Sequence, residues 1–564
     1  MDKKRFNLNS TDDIEELSRL VFEEMEKSVT IADENFDESN DSEMEDYVEE
    51  RLVDSDTDHE IDSQEEGDEE DSDCDADYYS ARDGTKWRKR AWKQTQTRLH
   101  NVLVKLPGVV GTQAKCANTE LDCWKLFFDN NILAIIVENT NIYIDSIRKK
   151  FVRERNCKPT DVIEMQAFFA LLYLAGVFRI DLFRMTISIR RQRKETDKLA
   201  AIRQIFTLFD ENCKSHFVLG QNVTVDEMLP AFRGRCGFRQ YIPSKPSKYG
   251  IKIFSLCDAK LFYIAFMEIY CGLQPEGPFR TDNSYEKVVL RLAESIYGSG
   301  RNITADNWFT SLKLVKALEE KKLSYVGTAR KNRRELPPNF ITPKSRLQYS
   351  SVFGFSKNET LVSYCPKRGR IDVLLSSLHV SCEEVADDTT KKPEIIDFYN
   401  STKSGVDIAD KLCATYNVAR STKRWPMVIF YHMLNVAATN SRLIFLGNGN
   451  EYIFRREYIK KLVFSLLKEQ LERRSQIPNL PPELKMSLAK YRPETSAREE
   501  QPQAATLTRK RKRCEPCYKK TQKDAKTKYV CEKCNVYLCL SRHVRTICQN
   551  CLEEEIIIQT EDSE

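Results

Sequence analysis

The sequence predicts a mixed α/β protein that ends in a small metal-binding module. Three features of its 564 residues lead to this prediction. Apolar residues recur at helical spacing across residues 121–178, whereas from Val223 onward they form short runs rich in β-branched residues. Near the C-terminus, cysteines and one histidine occur in closely spaced pairs. Strands followed by helices indicate a mixed sheet with helices packed on it.

The N-terminal residues 1–85 are expected to form an acidic, disordered arm. Asp, Glu and Ser dominate residues 37–77, and so few apolar side chains cannot compensate the conformational entropy lost on folding. The whole chain nevertheless carries a formal net charge of +3, so the rest of it is basic. A basic body indicates either a nucleic-acid partner or a solvated charged surface.

No segment has the properties of a membrane span or a secretory signal. The longest apolar run, residues 167–178, is too short to cross a bilayer, and residues 1–10 lack an apolar core. We therefore expect a soluble intracellular protein without a membrane partner. In a reducing compartment its 18 cysteines serve as metal ligands or buried thiols, not as disulfides.

Elements are predicted in the following order. Residues 86–220 form a basic linker and a helical region, with Asp161 and Glu164 as a capping pair and a further helix at 199–209. Residues 221–330 contain strands at 223–229, 251–257, 261–269, 302–306 and 323–328 and a helix at 310–321. Residues 331–394 are predicted to form an insertion, which contains strand-like runs at 359–364 and 373–376. In residues 395–416 a strand at 395–399 precedes a helix from Val406. Residues 417–490 are helical, with one helix from Pro426 to Gly447. A basic linker (491–513), the cysteine module (514–551) and an acidic tail (552–564) follow.

The cysteine module provides four ligand pairs, enough for two tetrahedral Zn²⁺ ions. The pairs are Cys514 with Cys517, Cys531 with Cys534, Cys539 with His543, and Cys548 with Cys551. We favour an interleaved arrangement, in which the first and third pairs hold one ion and the second and fourth hold the other. Whether the module contacts DNA or protein stays open. The adjacent basic cluster favours DNA or a nuclear import receptor; it consists of Arg509, Lys510, Arg511, Lys512 and Arg513.

Four aspartates form a second candidate site. Asp226 lies in an apolar strand, where a charge is costly unless it is paired or bound to metal, and Asp306 ends a similar strand. Asp407 and Asp410 are three residues apart at the start of a helix, so both project from one face. Together they could hold two Mg²⁺ ions that promote phosphodiester chemistry. The alternatives are that Asp407 caps its helix and that Asp226 pairs with an arginine.

Four stretches resemble, in order, signature segments of the piggyBac transposases. They are TVDEMLPAFRGRCGFRQYIPSKPSKYGIK (224–252), RNITADNWFTS (301–311), VGTAR (326–330) and YNSTKSGVDIAD (399–410). The likeness extends from about residue 121 to residue 551. It implies an RNase H-like catalytic core interrupted by an insertion, a helical dimerisation and DNA-binding region drawn from both sides of the core, and a cross-brace zinc module.

The resemblance also implies site residues and a reaction. Asp226, Asp306 and Asp407 match catalytic aspartates that use Mg²⁺ or Mn²⁺, and Asp410 matches a further acidic residue of the site. The family nicks DNA at transposon ends, and the freed 3′ hydroxyl forms a hairpin that is reopened and joined to a TTAA target. The implied partners are terminal-repeat DNA and a second copy of the chain, and the implied location is the nucleus.

Basic residues around Asp226 are candidate DNA contacts, because cationic side chains neutralise phosphates. They are Arg233, Arg235, Arg239, Lys245, Lys248 and Lys252, and Arg330 and Trp425 lie in other segments matching the family. Phe232, Phe238 and Tyr241 alternate with the basic residues, and we favour core packing for them over base stacking. Trp308 is expected to form a wall of the site. Trp425 either contacts DNA or packs at the start of its helix.

One departure from the family pattern affects the functional prediction. A longer helical stretch normally separates the segments that match residues 170–178 and 196–203, whereas here only residues 179–195 intervene. Three functions therefore remain open: an active transposase, a domesticated DNA-binding protein without transposition activity, and a zinc-containing scaffold for protein interactions.

Overall fold

A ten-stranded mixed sheet forms the centre of the computed structural model. The structure describes residues 4–29, 77–92, 101–151, 153, 157–178, 197–243, 245–343, 346–381, 389–492, 512–521, 526–527, 529–531 and 536–539. The strands outside the C-terminal module are β1 (Tyr78–Ser80), β2 (Lys86–Arg88), β3 (Gly108–Val109), β4 (Phe217–Val218), β5 (Asn222–Met228), β6 (Arg239–Tyr241), β7 (Tyr249–Ile251), β8 (Ile253–Asp258), β9 (Ile264–Ile269), β10 (Asn302–Ala305), β11 (Ser324–Thr328), β12 (Ser351–Phe355), β13 (Thr360–Lys367) and β14 (Arg370–Ser376).

The order of the strands in the large sheet is β1-β2-β12-β13-β14-β11-β10-β5-β8-β9. Strand β10 pairs in parallel with both β5 and β11, and the remaining pairs are antiparallel. Parallel neighbours need a crossover connection, which runs from β10 to β11 through a helix. The carboxyl ends of β5 and β10 therefore lie side by side.

Helices cover this sheet and extend beyond it. They are α1 (Thr11–Val29), α2 (Thr112–Lys115), α3 (Glu120–Lys125), α4 (Asn130–Ile147), α5 (Val162–Phe178), α6 (Arg203–Ser215), α7 (Tyr285–Ala293), α8 (Leu312–Glu320), α9 (Pro338–Ile341), α10 (Glu394–Thr402), α11 (Gly405–Thr415), α12 (Trp425–Gly447), α13 (Arg455–Ser475) and α14 (Pro482–Leu488). Helix α12 is buried along most of its length and packs on α3, α6 and α11. Within the described part of the chain, no helix is both long enough and apolar enough to span a membrane.

The predicted mixed α/β class is confirmed, as are most of the predicted elements. The strands of residues 221–330 and the helices that begin near Val406 and Pro426 are present with small shifts of their ends. The Asp161 carboxylate accepts a hydrogen bond from the Glu164 N–H at 2.9 Å, as expected for a capping pair. Strands β12, β13 and β14 of the predicted insertion continue the main sheet, because β14 pairs with β11.

The strand predicted at residues 395–399 is wrong, because these residues lie in α10. The β-branched pair Ile395 and Ile396 suggested a strand, but both side chains are buried on the helix against Val326 and Val362. Pro393 occupies the N-cap of α10 and supplies a helix start that the strand prediction overlooked.

The prediction of disorder for residues 1–85 is also wrong in part. Ile14, Leu17 and Val21 recur at helical spacing and form the apolar face of α1, which packs against the main core. Leu17 is 1% exposed, and the Glu24 carboxylate accepts a hydrogen bond from the Arg442 guanidinium at 3.0 Å. Residues 77–85 contribute β1 to the main sheet. The most acidic stretch, residues 37–76, lies outside the described residues, as does the segment 179–195.

The chain divides into two compact units, Met1–Arg474 and Ser475–Glu564. The first contains the main sheet with its helices. The second contains α14, a two-stranded sheet of β15 (Lys512–Arg513) and β16 (Lys526–Thr527), and helix α15 (Glu515–Thr521).

Candidate catalytic site

The parallel pairing of β5 and β10 places Asp226 beside Asp306. Thr224 pairs with Thr304 and Val225 with Ala305, so each aspartate is the next residue along its strand. Both aspartates retain partial contact with solvent at this edge of the sheet. Their backbone neighbours orient them, since Asp226 accepts the N–H of Glu227 at 2.8 Å and Asp306 accepts the N–H of Trp308 at 3.0 Å.

Buried threonines attach the end of α10, which directly precedes α11, to these two strands. The Thr224 hydroxyl donates to the Thr402 carbonyl at 2.7 Å, and the hydroxyls of Thr304 and Thr402 are 2.8 Å apart. Gly405, the first residue of α11, lies so close to β5 that a Cβ atom there would be 2.4 Å from Thr224 Oγ1. This close approach brings the first turns of α11, with Asp407 and Asp410, to the ends of β5 and β10.

The electrostatics indicate a crowded group of carboxylates. Burial, the Glu227 carboxylate and the charges of Asp306 and Asp407 raise the pKa of Asp226 well above its ordinary value. Burial and Glu227 raise the pKa of Asp306 to about 6. Burial also raises the pKa of Asp410. Such costly negative charge is typical of functional sites, where a bound cation stabilises it.

Lys245 provides an internal cation within this group. Its Nζ lies 2.7 Å from Asp407 Oδ1, and its side chain is 14% exposed while that of Asp407 is 49% exposed. Burial alone would lower the pKa of Lys245, but the Asp226 and Asp407 carboxylates raise it above the ordinary lysine value. The sequence analysis placed Lys245 among DNA contacts and overlooked this position, because nothing distinguishes it from its neighbouring lysines.

Glu227 is a second residue that the sequence analysis overlooked. It is buried, and its carboxylate lies 3.5 Å from the ammonium group of Lys252. The Lys252 ammonium is also 5.0 Å from the centre of the Trp308 ring, and Trp308 stacks on Phe254. Lys252 therefore fixes Glu227 and the aromatic wall behind Asp306.

The donor set suits a hard divalent cation, because all four aspartates offer carboxylate oxygens and are partly accessible. Among the described residues, the one group of three potential ligand atoms that lie within 4.8 Å of one another consists of Cys514, Cys517 and Cys539, so the aspartate oxygens are farther apart than that.

A cleft of about 430 Å³ opens beside Asp306. Its lining is aromatic and basic: Tyr285, Trp308, Arg330, Asn332, Arg333, Arg334 and Glu335. The Arg330 guanidinium donates to Asn307 Oδ1 at 3.1 Å, and that of Arg333 donates to the Tyr285 hydroxyl at 2.9 Å. The predicted residues Trp308 and Arg330 are therefore both next to the site, together with two arginines that the sequence analysis did not select.

The other predicted DNA contacts lie on the loops that follow β5 and surround β6 and β7. Arg233, Arg235 and Lys248 are exposed, whereas Arg239 is partly buried and donates to the Arg233 and Gly234 carbonyls. Phe232 and Phe238 are buried, which confirms their predicted packing role. The Trp425 ring packs edge to face on Phe238 with ring centres 5.0 Å apart.

In the second unit, three of the predicted zinc ligands come together. Cys514, Cys517 and Cys539 are buried, and the Sγ atoms of Cys517 and Cys539 are 3.4 Å apart. Hydrogen bonding with Cys539, burial and the nearby Cys514 thiol raise the pKa of Cys517 to about 11. These residues come from the first and third predicted pairs, as the interleaved arrangement requires. Cys531 is also buried, and Cys534, His543, Cys548 and Cys551 lie outside the described residues.

Comparison with known families identifies the class of protein to which this fold belongs. The family model described as "Transposase IS4" matches residues 119–188 and 182–442, more than half of the chain. The two matched segments overlap at residues 182–188, within the stretch 179–195 that the sequence analysis predicts to be shortened. The chain therefore belongs to the family that this model describes.

Individual relatives narrow this assignment. The chain is 21% identical to human PiggyBac transposable element-derived protein 3 and 22% identical to human PiggyBac transposable element-derived protein 2, over 59% and 56% of its own length. It spans 62% and 60% of the length of these two relatives. The cryo-EM structure of a piggyBac transposase synaptic complex with hairpin DNA matches with a TM-score of 0.67 and 32% identity, covering 79% of this chain and 100% of that one. The chain belongs to the piggyBac family of transposases and transposable element-derived proteins.

Proposed function

We propose that the protein is a metal-dependent DNA transposase that cleaves DNA strands, forms hairpins and joins the freed ends to TTAA sites. Asp226, Asp306 and Asp407 would hold Mg²⁺ or Mn²⁺, with Asp410 as a further acidic residue of the site. The observation that carries the proposal is the convergence of these aspartates, through the register of β5 with β10 and the close packing of Gly405 on Thr224. A structural match to a transposase bound to hairpin DNA supports the reaction type.

The carboxylates have the chemistry that this reaction needs. Divalent cations, when bound, activate a water or a 3′ hydroxyl and stabilise the leaving oxygen of a phosphodiester. Asp226 and Asp306 contribute negative charge that the protein alone leaves poorly compensated, which favours cation binding. Trp308 and Lys252 keep Asp306 and Glu227 in place behind the reacting groups.

DNA would approach along the basic surface around the site. Arg233, Arg235 and Lys248 are exposed on the loops that follow β5, and Arg330 and Arg333 line the cleft. We assign phosphate contacts to these side chains, since such contacts provide most of the affinity for DNA. Arg239 and Trp425 support the same loops from behind. Lys252 belongs to the scaffold, because it is buried against Glu227.

The remaining features complete the proposal. Two Zn²⁺ ions would be held by the eight cysteine and histidine ligands of residues 514–551, and the buried cysteine triad supports the first of these sites. The basic cluster from Arg509 to Arg513 would bind a nuclear import receptor and direct the protein to the nucleus. The partners would be terminal-repeat DNA and a second copy of the chain.

A cleavage assay tests the proposed function. The full-length protein is incubated with Mg²⁺ and DNA carrying inverted repeats bordered by TTAA, which are sought in the genomic DNA on both sides of its gene. We expect nicked and hairpin products from the wild type and from Asp397→Asn, which alters an exposed carboxylate on α10, and none from Asp226→Asn. If the wild type gives no products while another family member is active on its own ends, the proposal is rejected.

A second candidate function is DNA binding without transposition. The shortened stretch 179–195, where the two family-model segments overlap, favours it because part of the helical region would be missing. The names of the human relatives also describe transposable element-derived proteins. In this case Asp226→Ala leaves the cellular phenotype of the gene unchanged, whereas a transposase loses its function.

A further inference from the structure

Lys245 has a position that neither DNA binding nor structural support fully explains. The Lys245 side chain is 14% exposed, and its ammonium group makes a short contact to Asp407, whose side chain is 49% exposed. Asp226 and Glu227 attract the same charge. Acidic groups outnumber basic ones here: among the described residues, Lys245, Lys252 and Arg330 are the cations that act on the buried aspartates of the site.

The backbone keeps Lys245 at this place. Its N–H donates to the Ile242 carbonyl at 3.2 Å, and its own carbonyl accepts the Lys248 N–H at 3.1 Å. Pro243 and Pro246 on either side restrict the backbone further. The hairpin that carries the loop is attached to the end of β5, where the Ile251 N–H donates to the Pro230 carbonyl at 3.1 Å. The backbone of Lys245 is therefore held in place, while its long side chain can adopt other rotamers.

A divalent cation bound to Asp407 would repel the Lys245 ammonium group, whose Nζ lies 2.7 Å from Oδ1 of the same carboxylate. A lysine is suited to exchange partners, since its ammonium is a point charge on a flexible stem with three donors. Once cations engage the aspartates, a phosphate of DNA at the site would offer the ammonium group a new anionic partner. The loop also carries the exposed Lys248 toward the surface where DNA would lie.

We propose that Lys245 is a tethered counter-ion: it neutralises Asp407 in the metal-free protein, and it moves to a DNA phosphate when a divalent cation binds Asp407. This inference rests on the proposed function of the aspartates as cation ligands. Lys245 then has two roles. It lowers the affinity of the empty site for cations, and it couples cation binding to contact with DNA.

Cation binding without DNA tests the first role. Mn²⁺ binding to the full-length protein, with its zinc retained, is measured from the EPR signal of the free ion, and the site is defined as the binding that Asp226→Asn removes. We expect Lys245→Met to raise the affinity of this site about tenfold, equivalent to about 1.4 kcal/mol. Lys245→Gln should act in the same direction, which guards against a folding defect in one variant. Lys316→Met, which changes an exposed lysine on α8, should leave the Mn²⁺ affinity unchanged.

DNA binding tests the second role. In Ca²⁺, a labelled duplex containing TTAA should bind Lys245→Met several-fold more weakly than the wild type, and this deficit should disappear when Ca²⁺ is replaced by EDTA. If the wild type has no Asp226-dependent Mn²⁺ site, the proposed function itself fails. If that site exists but Lys245→Met leaves its affinity unchanged or weaker, or if the DNA deficit persists in EDTA, the counter-ion role is overturned while the proposed function stands.

Discussion

Replacing Asp306 by asparagine should stabilise the metal-free protein although it removes a candidate catalytic group. The folded protein raises the pKa of Asp306 from 3.8 to about 6, so keeping this carboxylate ionised opposes folding. This increase in pKa lowers the free energy of unfolding by about 3 kcal/mol near pH 7.5, since a tenfold change in proton affinity corresponds to about 1.4 kcal/mol. Asparagine has nearly the same shape and can still accept the Trp308 N–H, so little of this gain should be lost to poorer packing.

The sign of the pH dependence follows from the same shift. A carboxyl group with a raised pKa binds its proton more tightly in the folded state than in the unfolded state. The wild type therefore recovers stability as the pH falls through about 6 towards 3.8, the value for the unfolded chain. The advantage of Asp306→Asn should fall to about half near pH 5 and be small near pH 4.

Urea unfolding of the first unit, followed by tryptophan fluorescence in EDTA, measures this difference in stability. Asp397→Asn, which changes an exposed carboxylate, serves as the control and should not alter the midpoint. Excess Mg²⁺ should reverse the order, because the wild type gains stability by binding the cation and the variant does not. The reasoning is refuted if Asp306→Asn is less stable than the wild type in EDTA near pH 7.5, or if its advantage grows on acidification.

Three further predictions concern the scaffold and the second unit. Leu17→Ala should destabilise the first unit by about 2–4 kcal/mol in urea unfolding, since this side chain of α1 is 1% exposed, while Glu26→Ala on the same helix should have little effect. Gly405→Ala should cost about 2 kcal/mol or more and abolish DNA cleavage, because its Cβ would lie 2.4 Å from a side-chain oxygen; Gly237→Ala, where the added atom meets nothing within 4 Å, should be neutral in both assays. Cys539→Ser should lower the zinc content, measured by plasma mass spectrometry, from two ions to one per chain, and an unchanged content would contradict the assignment of this ligand.

The sequence alone predicted those parts of the site that depend on local patterns. Asp226 and Asp306 follow short runs of β-branched residues, and both runs are strands, with Asp226 inside β5 and Asp306 directly after β10. Asp407 and Asp410 lie on one helix as their spacing indicated. Helix α1 could have been predicted, because Ile14, Leu17 and Val21 have amphipathic spacing. The acidic composition of the neighbouring residues led to the prediction of disorder instead.

Other features depend on contacts between distant segments, which local patterns do not contain. The parallel register of β5 with β10 decides that Asp226 and Asp306 are neighbours, and no pattern in either strand specifies it. Lys245 is one of several basic residues in its segment, and only the packing of the loop against β5 directs it to Asp407. Residues 395–399 show the converse case, in which tertiary packing of two isoleucines on α10 overrides their preference for strands.

In this site, the residues that hold the elements together are different from the residues that carry the charge. Thr224, Thr304 and Gly405 each lie two residues before an aspartate, and all three belong to the buried contacts that join β5, β10 and α11. Thr402 completes this layer by accepting from Thr224 and Thr304 while its own hydroxyl donates to the Phe398 carbonyl at 2.8 Å. Because this neutral layer holds the elements together, the aspartates can repel one another at the rim without pushing the elements apart. The same division explains why Asp306→Asn should stabilise the metal-free protein whereas Gly405→Ala should disrupt it.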